Sequence, residues 1–530
     1  MRKIRKTCEN GPNIDVQKPA LARAFSAGPL AEQNLSPSQH TASFTIINTT
    51  KAPLGCSSLV QYLHSRKISA DYIYAPKNND DLYSEKDLEA MAAEVASCDI
   101  IGVSLFSISE RRAFQLVRFL KNEYPGKHLI LGGPSAILDP QRLLAEPGVD
   151  SVCVHEGELP LETLIRQYHN GVAQAIPGII FKGNTNAVGG VLQKPIQDLD
   201  EIPFTNYKDG TLGKYKKLVD GSLVTEKNMA ERIENPSMQG NFLYVMAARG
   251  CPHSCSYCIN DTLNGILRAT HSKLIRKRTT AQLIGDLKKI ITVEKDIDTV
   301  FFFDDDFFVR SERELEALSR EYKDSVGLPF HIFANPNSTT RKKIDVCHSA
   351  GLKKIEFGLQ TVSKTVLEKY KRMSGGDSIR EIVKYVTDCG YDLDIAIDFI
   401  SNSPFENDGD VLQNIEYILG LDGNFILDIH NLHLFPGSRL RKEYGAGTGN
   451  EHKEYQNNLV EGKIHNEYTT KLLIAMQGLH KREVPDQYGT LTRDEISYFI
   501  ATMATKYDEN LRVLTQKIRN TAVAQFYSQF

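Results

Sequence analysis

Short apolar runs alternate with amphipathic segments along two stretches of the chain. In the first stretch, five runs read as buried strands, at 44–49, 71–76, 99–106, 128–133 and 149–154. Segments with apolar residues at helical spacing separate them, such as the one at 109–124. This rhythm predicts an α/β fold: a doubly wound, Rossmann-like parallel sheet over residues 44–184, whose ligand lies at the carboxyl ends of the strands.

The same rhythm returns in the second stretch. Six strand candidates lie at 242–248, 299–304, 330–335, 353–359, 392–400 and 426–435. Six βα-like units predict a partial (β/α)6 barrel of the TIM type over residues 241–440. Its chemistry should also lie at the carboxyl ends of the strands.

The remaining segments lack this pattern. Residues 1–43 are rich in Pro, Ser, Gln and Ala, which predicts a mobile tail. Residues 185–240 are rich in Asn, Gly, Lys and Glu, which predicts a linker with some local structure. Residues 441–530 are charged and predict a helical region that carries no chemical motif.

Composition narrows the class of protein. The chain has 530 residues, 41% hydrophobic, and a formal net charge of −3. This charge does not favour nucleic acid as a partner, and no apolar run approaches the roughly 18 residues of a membrane span. The basic start leads into Asn, Gly, Pro and Asp and lacks the apolar core of a secretory signal. We therefore predict a cytoplasmic protein with reduced thiols.

Three of the nine cysteines, Cys251, Cys255 and Cys258, lie within eight residues directly after the first barrel strand. A structural zinc site normally has a fourth Cys or His at matching spacing. The nearest candidate, His253, lies inside the first gap between the cysteines. A 4Fe-4S cluster also normally takes four thiolates, so three would leave one iron open to another ligand. Zinc, an iron–sulfur cluster and chance spacing all remain open at this point.

The spacing Cys-x-x-x-Cys-x-x-Cys, with Tyr257 before the last cysteine, resembles the radical S-adenosylmethionine (radical SAM) superfamily. In that family the open iron of a 4Fe-4S cluster binds S-adenosylmethionine, and an electron from the cluster splits it to give a 5′-deoxyadenosyl radical. The resemblance implies further contacts to S-adenosylmethionine from the ends of the barrel strands. Its residues here are Tyr257, Asp304, Asp305, Gln360 and Pro436.

Four segments of the first domain resemble the cobalamin-binding domain of cobalamin-dependent radical SAM enzymes. They are "APLGCSSLVQYLHSRKISADYIY", "GVSLFS", "LGGPSAI" and "VHEGELPLETLI". The resemblance implies a cobalamin site made of Pro53, Leu54, Gly55, Ser104, Gly132, Gly133, Glu156, Gly157 and Glu158.

The first domain departs from related patterns at two points. His155 stands where that group's Gly-Glu-Gly-Glu signature has its first Gly. Residues 44–184 also lack the Asp-x-His-x-x-Gly motif whose His binds cobalt in mutase-type domains. The lower ligand of the cobalt is therefore open.

The resemblance implies a radical SAM methyltransferase that moves a methyl group from S-adenosylmethionine, via methylcobalamin, to an unactivated carbon or phosphinate-type centre of a small metabolite. One alternative is a cobalamin-dependent radical SAM cyclase or rearrangement enzyme without net methyl transfer. Another, from a different class, is a non-catalytic corrinoid and Fe-S carrier. The implied partners are a small-molecule substrate and an electron donor such as flavodoxin or ferredoxin. No residue is assigned a catalytic role by the sequence.

Overall fold

The computed structural model describes residues 41–52, 54–77, 81–170, 176–183, 192–203, 215–225, 241–401, 403–423 and 425–445. The predicted tail therefore lies almost entirely outside the described residues, as does nearly all of the predicted C-terminal helical region. Among the described residues, no helix combines the length and the apolar character needed to cross a membrane.

The first sheet has eight strands. In chain order they are β1 (Phe44–Asn48), β2 (Ala70–Tyr74), β3 (Ile100–Ser104), β4 (His128–Gly132), β5 (Ser151–Cys153), β6 (Ile179–Phe181), β7 (Tyr215–Val219) and β8 (Ser222–Thr225). Their spatial order is β6-β5-β4-β3-β1-β2-β7-β8. Strands β1 to β5 and β7 run parallel, whereas β6 and β8 pair antiparallel at the two edges. The order reverses between β1 and β3, which is the switch point where a doubly wound sheet binds its ligand.

Helices cover both faces of this sheet. They are α1 (Leu54–Ser65), α2 (Glu85–Glu94), α3 (Glu110–Glu123), α4 (Pro134–Leu138), α5 (Pro140–Ala145) and α6 (Glu158–Gln167). Apolar residues of α1 and α6 pack on one face, and those of α2, α3 and α5 pack on the other. The predicted doubly wound fold is confirmed. Its strands read as continuous apolar runs because both of their faces are buried.

The second sheet has six parallel strands in sequential order. They are β9 (Phe242–Val245), β12 (Thr299–Phe302), β13 (Phe330–Ala334), β14 (Leu352–Gln360), β15 (Asp394–Ser401) and β16 (Ile426–Asn431). Strands β9 and β16 form the two ends of the order, so the sheet is open, as the partial-barrel prediction requires. A separate pair, β10 (Ala248–Arg249) and β11 (Arg276–Lys277), flanks it.

In the described part of the second domain, eight helices follow or separate these strands. They are α7 (Ile259–Ala269), α8 (Thr280–Val293), α9 (Glu312–Ser325), α10 (Arg341–His348), α11 (Lys364–Tyr370), α12 (Gly376–Asp388), α13 (Asp408–Leu419) and α14 (Arg439–Gly445). The helix α9 shows why the chain begins a helix where it does. The hydroxyl of Ser311 caps the backbone N–H of Glu314, and the Glu314 side chain accepts from the N–H of Ser311, which together form a capping box.

The two domains meet at the carboxyl ends of their strands. Leu54 of the first domain packs against aromatic residues of β9 and β12, and the rings of Phe106 and Phe435 lie 4.8 Å apart. The turn after β16 approaches the first domain so closely that a Cβ at Gly437 would collide with the carbonyl of Leu138. With φ of 80°, this position favours glycine on backbone grounds as well.

Candidate functional site

The three clustered cysteines lie in the loop that joins β10 to α7. All three are free thiols: Cys255 is buried, whereas Cys251 and Cys258 are half-buried. Cys258 is also the N-cap of α7. Each thiol lies within electrostatic reach of at least one of the others, so the fold brings all three together. We refer to residues 251–258 as the cysteine loop.

Hydrogen bonds from neighbouring elements fix the shape of this loop. The side-chain amide of Asn264, which is 1% exposed, donates to the carbonyls of Cys251 at 3.0 Å and His253 at 2.9 Å. The backbone N–H of Ser256 donates to the carbonyl of Tyr370 at 2.9 Å. The loop is therefore held by the helix that follows it and by a helix of a later βα unit.

The donor chemistry of the loop fits a 4Fe-4S cluster. No three His, Cys, Asp or Glu side chains in the described ranges are arranged to hold one metal ion. In a cubane cluster, by contrast, each thiolate binds its own iron atom. Burial raises the pKa of Cys251 to about 12 and that of Cys258 to about 11, so iron binding would displace their protons. The guanidinium of Arg372 donates to Cys255 Sγ at 3.3 Å, which suits a thiolate ligand.

At the acidic end of β12, the structure differs from the sequence prediction for one residue. Asp304 is 1% exposed, and its Oδ1 accepts from the backbone N–H groups of Ala247 at 2.7 Å and Ala248 at 2.9 Å. Its Oδ2 lies 2.8 Å from Arg310 Nη2. Asp304 was expected to contact S-adenosylmethionine, but both of its oxygens are engaged within the chain. Its role is to hold the strand that leads into the cysteine loop.

The two neighbouring carboxylates differ from each other. Asp305 is exposed, and its Oδ1 accepts from the side-chain amide of Asn260 at 3.0 Å. Asp306, in contrast, is buried. Its Oδ1 accepts hydrogen bonds from the Ser338 hydroxyl at 2.9 Å and from the backbone N–H of Asn335 at 3.3 Å. Of the three aspartates, Asp305 alone is exposed, so its carboxylate is the one that a ligand beside the cysteine loop can reach.

The other residues expected to contact S-adenosylmethionine occupy separate positions around the loop. The Tyr257 ring packs edge-on against Tyr370 with centroids 5.0 Å apart, and its hydroxyl lies 3.5 Å from Arg372 Nη1. Gln360 ends β14 with φ of 75°, a left-handed conformation that is costly for a residue with a side chain. Pro436 lies in the turn after β16 that meets the first domain.

A cavity of about 600 Å³ opens where the strands of the first sheet end and the second domain begins. Eight of the nine residues expected to bind cobalamin line it: Leu54, Gly55, Ser104, Gly132, Gly133, Glu156, Gly157 and Glu158. The ninth, Pro53, lies outside the described residues. Residues of the second domain, among them Tyr244, Met246 and Arg249, also line the cavity.

The wall of this cavity fits a bulky, polar-edged cofactor. A Cβ at Gly55 would meet no atom within 4 Å, and one at Gly132 would meet only Cys153 Cβ at 4.0 Å, so side chains there would project into the cavity. His155 also lines it and is 5% exposed, and neither of its ring nitrogens is hydrogen-bonded to any residue that the structure describes. The backbone can thus approach a large ligand, and at least one buried polar group has bonding capacity to offer.

An ion-pair network joins the cavity to the cysteine loop. Arg249 Nη1 lies 2.9 Å from Glu156 Oε2 and 2.8 Å from Glu158 Oε1. Arg276 Nη1 donates to the same Glu156 oxygen at 3.0 Å, and its Nη2 pairs with Glu156 Oε1. Burial alone would raise the pKa of Glu156, but the two guanidinium groups outweigh it and lower that pKa to about 2. We call these four residues the interdomain network.

The face of the second sheet turned away from its helices has an aromatic half and a charged half. Strands β9 and β12 contribute Phe242, Tyr244 and Phe301 to the aromatic half. On β14, Lys354 Nζ lies 3.3 Å from Glu356 Oε2. Burial, followed by the neighbouring charge of Asp398, raises the pKa of Glu356 to about 7 despite the opposing effect of Lys354.

Sequence reasoning missed two residues of this site, Arg249 and Arg372. Arg249 precedes Gly250, which has a φ of 105°. A Cβ at Gly250 would collide with the carbonyl of Leu274. The basic side chain of Arg249 at the end of an apolar strand was a signal that a buried carboxylate lay opposite. Arg372 follows a helix far along the chain, and nothing in its local pattern points to the cysteines. Arg278, close to Arg276 along the chain, has a structural position, since it donates to the carbonyls of Leu199 and Ile202.

Comparisons with known proteins agree with both halves of the site. The family model described as the radical SAM superfamily matches residues 245–418. The model of the B12 binding domain matches residues 47–165. The first match contains the cysteine loop, and the second contains most of the residues that line the cavity.

The chain is also similar to individual proteins of this kind. It is 23% identical over 377 residues to the cobalamin-dependent radical SAM methyltransferase TokK of Streptomyces tokunonensis, covering 68% of this chain and 51% of TokK. The match thus spans about half the length of that relative.

Two solved structures share the fold. The radical S-adenosylmethionine methyltransferase TsrM from Kitasatospora setae, with cobalamin and a 4Fe-4S cluster bound, is 15% identical with a TM-score of 0.59, covering 77% of this chain and 78% of TsrM. The cobalamin-dependent S-adenosylmethionine radical enzyme OxsB, with aqua-cobalamin and S-adenosylmethionine bound, is 12% identical with a TM-score of 0.59. That match covers 91% of this chain and 71% of OxsB.

Proposed function

Because this chain belongs to the cobalamin-dependent radical SAM enzymes, we propose that it is a methyltransferase. It would transfer a methyl group from S-adenosylmethionine, by way of cobalamin, to an unactivated carbon or phosphinate-type centre of a small metabolite. The observation that carries the proposal is the position of Arg249. This residue contacts two carboxylates that line the cavity and lies two positions before the first cysteine of the loop.

We assign the cofactors to the residues that would hold them. Cys251, Cys255 and Cys258 would bind the 4Fe-4S cluster. Asp305 and Tyr257 lie beside these cysteines and would contact S-adenosylmethionine. When bound, these groups supply the electron and the radical chemistry, as cofactors do in general.

Cobalamin would occupy the cavity at the ends of the first-domain strands. The open space at Gly55 and Gly132 would admit its bulk. The glutamates of the interdomain network would stay bound to Arg249 and Arg276, so they would shape this site through the domain contact rather than by donating charge to the cofactor. When bound, cobalamin supplies the carrier of the methyl group.

The protein's own part is to position the reactants and exclude water. We expect the substrate to face the inner side of the second sheet, with an apolar part against Tyr244 and Phe301 and a polar part toward Glu356. A carboxyl with a pKa of about 7 can hold a proton or release it near neutral pH, which suits contact with a polar group. An electron donor such as flavodoxin or ferredoxin would supply the reducing equivalent.

The test is an anaerobic incubation of the reconstituted chain with reduced cobalamin and methyl-labelled S-adenosylmethionine. Mass spectrometry would follow the label in methylcobalamin and the formation of 5′-deoxyadenosine. Labelled methylcobalamin supports the methyltransferase. A Cys258→Ala variant is the matched control, because it should lose 5′-deoxyadenosine formation without losing the cobalamin cavity.

The fold is also shared with the cobalamin-dependent S-adenosylmethionine radical enzyme OxsB, so we keep one alternative within the enzymes. Formation of 5′-deoxyadenosine without labelled methylcobalamin would move the assignment to a cyclase or rearrangement enzyme. If the chain loads both cofactors and forms neither product with any candidate substrate, a corrinoid and Fe-S carrier is the better description.

A further inference from the structure

His155 is a buried histidine whose ring has no hydrogen-bonding partner. It follows β5 by two residues and lines the cavity assigned to cobalamin. The residue is 5% exposed, and neither Nδ1 nor Nε2 finds a partner among the described residues. Buried polar side chains are hydrogen-bonded in the large majority of cases, so an imidazole with both nitrogens unpaired calls for an explanation.

The charged groups nearest to His155 are engaged with one another. Electrostatic effects on the ring come from Glu156, Glu158, Arg249 and Arg276, and these four residues form the interdomain network. Their atoms are occupied by partners at close range, which leaves the imidazole beside them without a bond. Burial is the largest influence on the ring and lowers the pKa of His155. A neutral imidazole offers one N–H donor and one acceptor nitrogen.

Adjacent residues hold the backbone of His155 in place. The N–H of Val154 donates to the carbonyl of Gly178 at 2.9 Å, and the thiol of Cys153 lies 3.7 Å from the carbonyl of His155 itself. The side chain is therefore carried by the end of a strand and not by a free loop. A polar group on such a rigid support is suited to ligand recognition.

We propose that His155 is a cobalamin-binding residue whose neutral ring exchanges a hydrogen bond with a polar group of the bound cofactor. Cobalamin offers suitable partners in the amides around its ring and in the phosphate of its tail. The inference rests on the cobalamin site of the proposed function. The resemblance itself does not supply this contact, because the signature that this segment resembles has glycine where His155 stands.

The test is the affinity of the full, cluster-loaded chain for hydroxocobalamin, measured by anaerobic absorbance titration. His155→Phe keeps a planar ring but removes both hydrogen-bonding atoms, and it should raise Kd about tenfold, equivalent to about 1.4 kcal/mol. His155→Asn, which restores a donor and an acceptor, should recover part of that loss. His169→Phe is the matched control, because it makes the same change at an exposed histidine that does not line the cavity. This variant should change Kd by less than about threefold.

Titration with cobinamide, which lacks the nucleotide tail, shows which part of the cofactor His155 contacts. If His155→Phe weakens cobalamin and cobinamide equally, the partner is an amide of the ring. If it weakens cobalamin alone, the partner is in the tail. Both results support the hydrogen bond. Unchanged affinity of His155→Phe for both corrinoids would overturn it.

Electron paramagnetic resonance separates hydrogen bonding from cobalt ligation. Bound cob(II)inamide should show no nitrogen superhyperfine splitting from the protein. A splitting that is present in the wild type and absent in His155→Phe would mean that the ring binds cobalt, which would replace this proposal. Failure of the wild type to bind either corrinoid would instead refute the cobalamin site itself, so the two failures are distinguishable.

Discussion

Removing the charge of Glu156 should loosen the contact between the two domains. This carboxylate is shared by Arg249 and Arg276, and its side chain is 21% exposed, compared with 2% for Arg276. The variant Glu156→Gln keeps the shape of the side chain but leaves Arg276 without its charged partner. The other contact to this guanidinium is the backbone carbonyl of Ile196, at 2.7 Å, which carries no charge.

Two routes give the same magnitude for this loss. The pKa of Glu156 falls from 4.5 to about 2 in the folded chain, and at about 1.4 kcal/mol per pKa unit this corresponds to about 3 kcal/mol of stability. Independently, breaking a buried ion pair by removing one partner costs about 3–5 kcal/mol. Because the folded pKa lies below the unfolded one, this stability is fully present above about pH 4.5. It is lost as pH falls through about 2.

The assay is urea denaturation of the full chain at pH 7, followed by circular dichroism. Glu156→Gln should lower the apparent free energy of unfolding by about 3 kcal/mol, with the same loss at pH 5.5. Glu443→Gln is the control, since Glu443 and Lys371 form an exposed pair, with side chains 45% and 43% exposed. It should cost less than about 1 kcal/mol.

A double-mutant cycle with Arg276→Met isolates the pair itself. We expect the double variant to be more stable than the sum of the single losses by about 2 kcal/mol, because no unpaired buried charge remains. Additive losses would refute the reasoning, and so would a Glu156→Gln variant that is as stable as Glu443→Gln.

Three further outcomes follow from the same structure. Cys258→Ala should abolish the cluster's visible absorbance, while the affinity for cobalamin stays within about threefold of the wild type. Cys389→Ala is the control, since it changes an exposed thiol and should leave the absorbance intact. Gly132→Val should fill the open space of the cavity and weaken hydroxocobalamin binding at least about tenfold with little change in Tm, and a normal affinity would show that the cofactor lies elsewhere. Burial raises the pKa of Glu406 from 4.5 to about 8 in the folded chain. The contribution of its protonated form to stability is therefore fully present below about pH 4.5 and is lost as pH rises through about 8. Glu406→Gln should therefore raise Tm at pH 9 more than at pH 5, and equal shifts at both pH values would contradict the assigned protonation state.

The strands were predictable from sequence because most of them are buried on both faces. The apolar run at 99–106, for example, contains β3 (Ile100–Ser104), and the prediction misses its ends by only one or two residues. The segment at 215–225 falls within the stretch for which the sequence predicts a linker with some local structure. It forms β7 and β8 at the edge of the first sheet, where Lys216 and Lys217 are half-buried and Ser222 is exposed. Edge strands can carry such polar residues, so their hydrophobic signal is weak.

The candidate site was predictable where local spacing carries the chemistry and not where distant partners decide it. The cysteine spacing is a local feature, and the fold does bring the three thiols together. Asp304 shows the limit: its position at the end of β12 pointed to a ligand, but the arginine that occupies it, Arg310, lies six residues further on. Nothing in a strand-end aspartate distinguishes a carboxylate paired within the chain from one that faces a ligand.

The interdomain network fixes how the cobalamin cavity and the cysteine loop lie relative to each other. Arg249 is separated from Cys251 only by Gly250, whose φ of 105° fixes the path of the chain at this point. At the other side of the contact, Glu156 directly follows His155 in the cavity wall. Rigid, pre-set geometry between reacting groups is the protein's main contribution to catalysis of this kind. A variant such as Glu156→Gln should therefore impair any step that needs both cofactors more than it impairs the binding of either one. The measurement compares the wild type with the variant in three quantities: bound corrinoid, bound cluster and turnover. Equal losses in binding and turnover would show that the network serves stability alone.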